Sequence, residues 1–326
     1  MNSPHRQEAS LLGALFSGRG QRVSRAELAR LAQIPSAELE TRLAPYLDAG
    51  YPIEFHPQGG VSLREPSDIW SAEEILGRCP GLPEGPAWDP LLLAETASTN
   101  DVARDQARRG ARAGFVVAAG CQTRGRGRMG RAWESPPERG LYVSILLRPD
   151  FPIAQVGRLT SLASVAAVDA VETLSGLRPR IKWPNDLLLD GKKLAGLLIE
   201  TEPAGPRIAF AVIGIGINLR HAAADFSPEI RPLATSLYLV TGRLFRRADL
   251  LVSLLQAMEH RLKEPFDSVR EAWAASSLNL GQQVTLTTAR GEKHGQVLGL
   301  DESGALLLRA PSGEIEIITA GDMRAV

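Results

Sequence analysis

The chain has 326 residues, 44% of them apolar, and its 37 basic side chains are balanced by 37 acidic ones. That length allows two or three domains, and zero net charge excludes a global field that would draw nucleic acid or a membrane surface. The two cysteines, Cys79 and Cys121, lack metal-ligand or redox spacing, which excludes a disulfide framework and points to a reducing cytoplasm.

The opening "MNSPHRQEAS" has no apolar core of the signal-peptide type. No apolar run reaches the ~18 residues a membrane span needs. Residues 9–16 read as a short helix with Leu11, Leu12 and Leu15 on one face. "SRAELARLAQI" opens with Ser24 three residues before Glu27, a capping-box spacing in which each side chain satisfies one orphan backbone N–H. After Pro35 a third helix is expected over residues 36–49, with Leu39, Leu43 and Leu47 at i, i+4, i+8. Pro45 bends or shortens it and Gly50 suits its end. "YPIEFH", "PQGG" and "VSLRE" read as strand, turn, strand. Residues 1–66 therefore look like a winged helix-turn-helix. "GRCPGLPEGPAWDP" punctuates rather than packs, so residues 67–88 read as a linker.

Residues 89–277 alternate strands (91–95, 115–121, 141–148, 180–183, 187–189, 194–201, 208–219) with helices. The strongest helix, 153–174, is alanine-rich and apolar, as a helix buried against a sheet would be. Strands following one another with few helices between them favour α+β with a mixed or antiparallel sheet. Asp190-Gly191 is a strong hairpin signal. Helices near 248–263 and 267–276 close the region. Residues 278–326 then turn strand-like, with "ARGE", "DESG" and "PSGE" turns, in a small barrel of SH3-like size.

"RGRGRMGRAW", residues 124–133, makes a poor helix and a poor strand. No acid lies within residues 111–133 to neutralise the five arginines there. Backbone N–H groups freed by glycine, together with arginine forks, suit an anion. The loop is not a Walker A motif, because no Gly-Lys-Ser/Thr follows; a solvated basic loop and an RGG-type RNA contact remain the plain alternatives. "IKWPNDLLLDGKKLAGLLIE", residues 181–200, presents Lys182 and Lys193 at two turns of one hairpin system, with Asn185 and Asp186 beside the first. Charges converging on one cleft fit a triphosphate or an acyl phosphate. In "GIGINL", residues 214–219, the glycines let a ligand approach the backbone or simply let strands pack. In "ETASTND", residues 95–101, Ser98, Thr99 and Asn100 sit where a helix begins, as caps or as ligand contacts.

"ETASTND", "GRGRMGRAW", "KWPNDLLLDGKKLAGLLIE" and "GIGIN", in this order and spacing, closely resemble the biotin protein ligase family. The winged helix in front is similar to the bifunctional type, which is also the biotin operon repressor. The resemblance implies an α+β chain: a winged helix-turn-helix, a central mixed-sheet ligase domain of class II synthetase type, and a C-terminal SH3-like barrel. It implies that ATP and biotin give biotinyl-5′-AMP and pyrophosphate, with Mg²⁺, and that biotin then passes to a lysine of a biotin carboxyl carrier protein. The positions matching biotin contacts are Ser98, Thr99, Gln122, Gly125, Arg126, Arg128, Lys193, Gly196, Gly214 and Gly216, with Asn100 beside them. Those matching adenylate and phosphate contacts are Arg128, Arg131, Trp133, Lys182, Asn185 and Asn218, and Asp186 matches a Mg²⁺-linked carboxylate. Lys193 and Arg126 would neutralise the biotin carboxylate, while Arg128, Arg131 and Lys182 stabilise charge on the phosphates. The family also implies operator DNA as a partner and a homodimer formed through the central sheet.

Two regions depart from the family's pattern. Residues 1–66 carry seven basic and seven acidic side chains, Glu38 and Glu40 open the reader helix, and the wing "HPQGG" has no Lys or Arg. These charges argue against strong DNA binding, so a ligase with a degenerate DNA-binding domain is an alternative. At the other end, in "GDMRAV", Arg324 is offset from the arginine with which the family reaches the nucleotide. Other classes remain open: a lipoate or octanoyl transferase, which shares the central fold but lacks the arginine-loop and "KWPND" pair, and a DNA-binding regulator that senses a small effector.

Overall fold

A computed structural model describes residues 4–66, 68–79 and 87–325. Residues 80–86 of the proline-rich stretch lie outside the described residues. The chain opens with α1 (Pro4–Ser17), β1 (Arg22–Val23), α2 (Arg25–Ala32), α3 (Leu39–Asp48), β2 (Ile53–His56) and β3 (Gly60–Leu63). The strands pair antiparallel in the order β1-β3-β2. Leu11, Leu12, Leu15, Leu28, Leu39 and Leu43 fill one core beneath them. The Ser24 hydroxyl accepts from the Glu27 N–H at 3.1 Å, as its spacing predicts. Glu27 does not reach back to the cap: its carboxylate takes two hydrogen bonds from Arg30, at 2.7 and 3.1 Å. A charge-assisted fork outcompetes one neutral N–H. Leu47 is exposed and Tyr46 is buried in its stead, because i+7 stays closer than i+8 to the face set by Leu39.

The stretch read as a linker holds a helix, α4 (Ala72–Arg78). It crosses α1 so tightly that a Cβ on Gly77 would stand 2.0 Å from the Ala9 carbonyl, and one on Gly13 would stand 2.3 Å from the Gly77 carbonyl. Glu74, fully buried in α4, accepts from the Tyr51 hydroxyl at 2.7 Å and from Arg246 at 2.9 and 3.0 Å. Asp68 likewise accepts from Arg220 at 2.6 Å and from the Arg247 Nε at 2.7 Å. Buried charges persist only when paired in this way. The expectation of an unpacked linker fails here because seven helical residues are outweighed by flanking Pro and Gly.

The central unit comprises β4 (Asp89–Leu93), α5 (Thr99–Arg108), β5 (Phe115–Ala119), β6 (Gly140–Leu147), α6 (Gly157–Ser175), β7 (Arg180–Lys182), β8 (Asp186–Leu189), β9 (Lys192–Ala204), β10 (Arg207–Asn218), α7 (Leu237–Thr241), α8 (Arg247–Lys263) and α9 (Phe266–Ser276). Its seven-stranded sheet runs β4-β5-β6-β10-β9-β8-β7, with only β4 and β5 parallel. The expected Asp190-Gly191 turn is present, both residues at positive φ (50° and 74°). Alternation divides β10. Ala211, Ile213, Ile215 and Ile217 join the core under α6 and α8. Phe210 and Val212 pack on the opposite face, with Ala103 and Ala107 of α5. Gly214, Gly216 and Asn218 continue that second face beyond them.

The last unit is a five-stranded antiparallel sheet of β11 (Gln283–Thr288), β12 (Gly291–Leu300), β13 (Leu306–Arg309), β14 (Ile315–Ile318) and β15 (Asp322–Ala325), ordered β14-β13-β12-β11-β15. Val284, Leu286, Val297 and Met323 extend the central core into it. No helix among the described residues is long and apolar enough to cross a membrane.

Candidate active site

A cavity of about 490 Å³ opens on the glycine face of the sheet, between the loop after β5, the β7–β8 turn, the start of β9, the end of β10 and the tip of β15. That volume suits a small ligand. Ser98, Thr99, Asn100, Gln122, Arg126, Arg128, Arg131, Trp133, Lys182, Asn185, Asp186, Lys193, Gly196, Gly214, Gly216 and Asn218 all line it. Gly125 does not. A Cβ there would meet the Trp133 carbonyl at 2.4 Å and Ser135 Oγ at 2.8 Å, so Gly125 serves the folding of the loop on itself.

Polar residues at the start of α5 are held rigidly. Thr99 donates its N–H and its hydroxyl to Gln122 Oε1 at 2.9 and 3.0 Å, and the Gln122 amide donates to Ser135 at 3.0 Å. Ser144 Oγ lies 2.7 Å from Thr99 Oγ1 and 2.6 Å from Asn100 Oδ1. Asn185 donates to the Leu197 carbonyl at 2.7 Å, and Asn218 to that of Thr235 at 3.0 Å.

The arginine loop is a narrow hairpin. Arg126 and Ala132 form an antiparallel bridge, and Gly127 N–H donates to the Arg131 carbonyl at 2.7 Å. Met129 at its tip has a positive φ of 56° and is exposed. The acids missing from the loop's own sequence come from elsewhere in the chain. Asp101 takes both Arg126 nitrogens at 2.7 Å, and Glu200 adds a contact at 3.3 Å. This fork holds the Asp101 carboxyl below the usual carboxylate range. Asp322 pairs with Arg131 at 2.5 Å and with Arg128 at 3.8 Å. Burial lowers the proton affinity of Arg128. Lys193 pairs with Asp186 at 2.7 Å and stands 5.4 Å over the Trp133 ring. Lys182 pairs with no carboxylate among the described residues.

Two expectations gain detail. Arg126, expected to neutralise a ligand carboxylate, lines the cavity but already pairs with Asp101 and Glu200. Gly214 and Gly216 read as admitting a ligand to the backbone or as letting strands pack, and it is the protein's own side chains that come close to them. A Cβ on Gly214 would stand 2.3 Å from Asn100 Oδ1, and one on Gly216 would stand 2.4 Å from Trp133 Nε1. Trp133 Nε1 is buried with no hydrogen-bond partner among the described residues, an unmet donor on the cavity wall.

Sequence reasoning missed one wall and set another aside. Phe226, Ile230, Leu233 and Ala234 close the side beyond β10, and the Leu233 carbonyl accepts from Lys193 N–H at 2.8 Å. Their spacing carries no periodic signal. Arg324, given no ligand contact on the sequence alone, lines the cavity with Asp322 and Met323. No group of three or more His, Cys, Asp or Glu among the described residues could hold a metal by itself. A Mg²⁺ bound to nucleotide phosphates needs only one or two protein carboxylates, and Asp186, the position matching a Mg²⁺-linked carboxylate, lines this cavity.

Residues 92–218 match the biotin/lipoate A/B protein ligase family, and residues 280–323 match the biotin protein ligase C-terminal domain. The bifunctional ligase/repressor BirA of Bacillus subtilis is 37% identical over 228 residues, 69% of this chain and 70% of that protein. The biotin–[acetyl-CoA-carboxylase] ligase of Paracoccus denitrificans is 35% identical over 242 residues, 71% of this chain and 98% of that protein. Among solved structures, the biotin protein ligase of Aquifex aeolicus in complex with biotin and ATP superposes with a TM-score of 0.63 at 30% identity, covering 73% of this chain and 99% of that one.

Proposed function

The chain belongs to the biotin/lipoate A/B protein ligase family, among its biotin ligases, and we propose that it joins biotin to ATP as biotinyl-5′-AMP and passes biotin to a lysine of a biotin carboxyl carrier protein. The observation that carries this reading is one cavity in which Lys182, Lys193, Arg128 and Arg131 converge over a floor of Gly196, Gly214 and Gly216. Two anions must meet there: a biotin carboxylate oxygen attacks the α-phosphorus, and the bond to the β-phosphate oxygen breaks to release pyrophosphate.

Lys193 takes the biotin carboxylate in exchange for Asp186, a like-for-like swap that leaves no ammonium unpaired. Lys182, which pairs with no carboxylate among the described residues, takes phosphate charge as a point cation, and Arg128 and Arg131 take it as forks. The unmet Trp133 N–H supplies one further donor to the ligand. Asp186 would hold Mg²⁺, which would supply charge neutralisation on the phosphates. Positioning and electrostatics suffice for the first step, so no protein side chain need form a bond. In the second step the acceptor lysine attacks the acyl carbon and AMP leaves. Biotin-dependent exchange of radiolabelled pyrophosphate into ATP is the expected activity. Exchange that ignores biotin, or that lipoate supports equally, would overturn this reading in favour of a lipoate-type enzyme.

The repressor role rests on the names of relatives and on the winged-helix-like build of the first unit. A specific observation favours a ligase with a degenerate DNA-binding domain. Arg25 pairs with Glu40 at 2.6 Å, Arg42 with Glu38 at 3.3 Å, Arg30 with Glu27 at 2.7 Å, and Arg64 with Glu54 at 2.8 Å. Arginines held by their own carboxylates release few counterions from DNA. A gel shift with the protein's own upstream DNA, with biotin and ATP present, is expected to show no specific complex; a ligand-dependent one would restore the repressor.

A further inference from the structure

The two arginines assigned to phosphate are held by the last strand of the C-terminal sheet. Asp322 opens β15 and is anchored by the pairing of Thr287 with Asp322 on β11. Its Oδ2 lies 2.5 Å from Arg131 and its Oδ1 3.8 Å from Arg128, which also donates to the Gly321 carbonyl at 3.3 Å. No other carboxylate among the described residues pairs with either arginine. The Asp322 side chain is about one-third exposed, so a ligand in the cavity can reach and replace it.

We propose that Asp322 is a positioning residue that holds Arg128 and Arg131 over the cavity as a stand-in for nucleotide phosphate, and yields both when the nucleotide binds. The inference rests on the ligase reading above, which makes those arginines phosphate contacts. A carboxylate and a phosphate offer guanidinium the same oxygen geometry, so the exchange leaves both forks satisfied throughout. It has two opposed consequences. The arginine hairpin stays folded against the C-terminal sheet while the cavity is empty. The nucleotide must in turn compete with a tethered carboxylate and then tolerate its negative charge nearby. The C-terminal sheet therefore sets the affinity for ATP without contributing a group to the reacting atoms.

The test is Asp322→Asn in the full chain, which keeps the shape and removes the charge. The hairpin carries its own probe, since Arg124, Arg126, Arg128 and Arg131 are all trypsin sites. A half-exposed ion pair shifts an equilibrium by up to about fivefold. Cleavage within residues 124–131 of the ligand-free variant is therefore expected to rise by up to about fivefold, and biotin with MgATP should restore protection. The KM for ATP in pyrophosphate exchange should fall by a similar factor while that for biotin holds, and Asp322→Glu should return both readings toward wild type. Unchanged cleavage, or a KM for ATP that stays level or rises, overturns the proposal; a rise would make Asp322 a direct helper of the nucleotide. Absence of biotin-dependent exchange in the wild type would remove the ligase reading instead, and the cleavage comparison would still decide whether Asp322 holds the hairpin.

Discussion

The buried His221, next to Phe226 on the cavity wall, is expected to act as a proton switch for stability. Its side chain is fully buried, and its ring stacks on Phe226 at 4.8 Å with an 8° tilt. Nε2 lies 3.5 Å from the Tyr142 hydroxyl and Nδ1 has no partner among the described residues. Burial pushes its pKa down from the usual 6.5 to about 4. Between these values the unfolded chain binds a proton that the folded chain refuses, so acidification favours unfolding. The stabilisation is complete above pH 6.5, declines as the pH drops, and is lost once the pH passes below about 4. The full difference is worth roughly 3 kcal/mol, and about 2 kcal/mol of it should be gone by pH 5. Urea unfolding followed by tryptophan fluorescence, at pH 7.5 and pH 5, on wild type and His221→Gln, isolates this group. The wild type should lose about 2 kcal/mol more than the variant over that interval. Parallel losses in the two proteins would refute a buried neutral imidazole. Phe226 lines the cavity, so the same protonation should weaken ligand binding at acid pH in the wild type alone.

Other substitutions probe the site and its support. Lys193→Ala should lower biotin-dependent pyrophosphate exchange by about 100-fold or more, as loss of an electrostatic anchor does, with an unchanged far-ultraviolet dichroism spectrum; normal exchange would reject its role. Gly216→Ala puts a methyl 2.4 Å from Trp133 Nε1, so the indole must shift. KM should rise while stability drops by about 1–3 kcal/mol, both readable from kinetics and a thermal melt. Glu74→Ala removes the fully buried carboxylate that Arg246 meets at 2.9 and 3.0 Å, leaving Asp249 at 3.2 Å to share the charge, and should cost about 3 kcal/mol in denaturant unfolding; a loss under 1 kcal/mol would mean that Asp249 or water compensates.

Much of this architecture was legible in the sequence because it is written in short-range patterns. The seven strands of the central sheet fall within a few residues of their expected places, since alternation and turn residues mark them locally. The arginine loop and "KWPND" are dense motifs, and their residues meet in one cavity. What was not legible depends on contacts across long separations. Nothing near Arg126 announces Asp101 or Glu200, and nothing near Arg131 announces Asp322, 191 residues away. The loop therefore read as uncompensated charge when Arg126, Arg128 and Arg131 pair with distant carboxylates. Gly214 and Gly216 carried a correct signal of close approach, but period and spacing cannot say that the approaching group is Trp133 or Asn100. Residues 226–234 hold a cavity wall in irregular backbone, where no periodicity exists to be read. Leu47 failed for a simpler reason, since 80° of helical drift over eight residues is enough to carry a side chain from core to solvent.

The crossing of α1 and α4 at Gly13 and Gly77 has a consequence for how such a chain can be taken apart or inherited. A cut placed by composition, between residues 66 and 89, would run through material that both halves need. Severed there, the ligase half would keep Arg246 in a socket emptied of Glu74, together with the groove that Ile75 fills. The first unit would in turn lose the backbone surface on which α1 lies. The front of this molecule is therefore not a detachable cassette. A recombination that exchanges it for another has to carry α4 with the ligase half and match a glycine to Gly77 in the incoming helix.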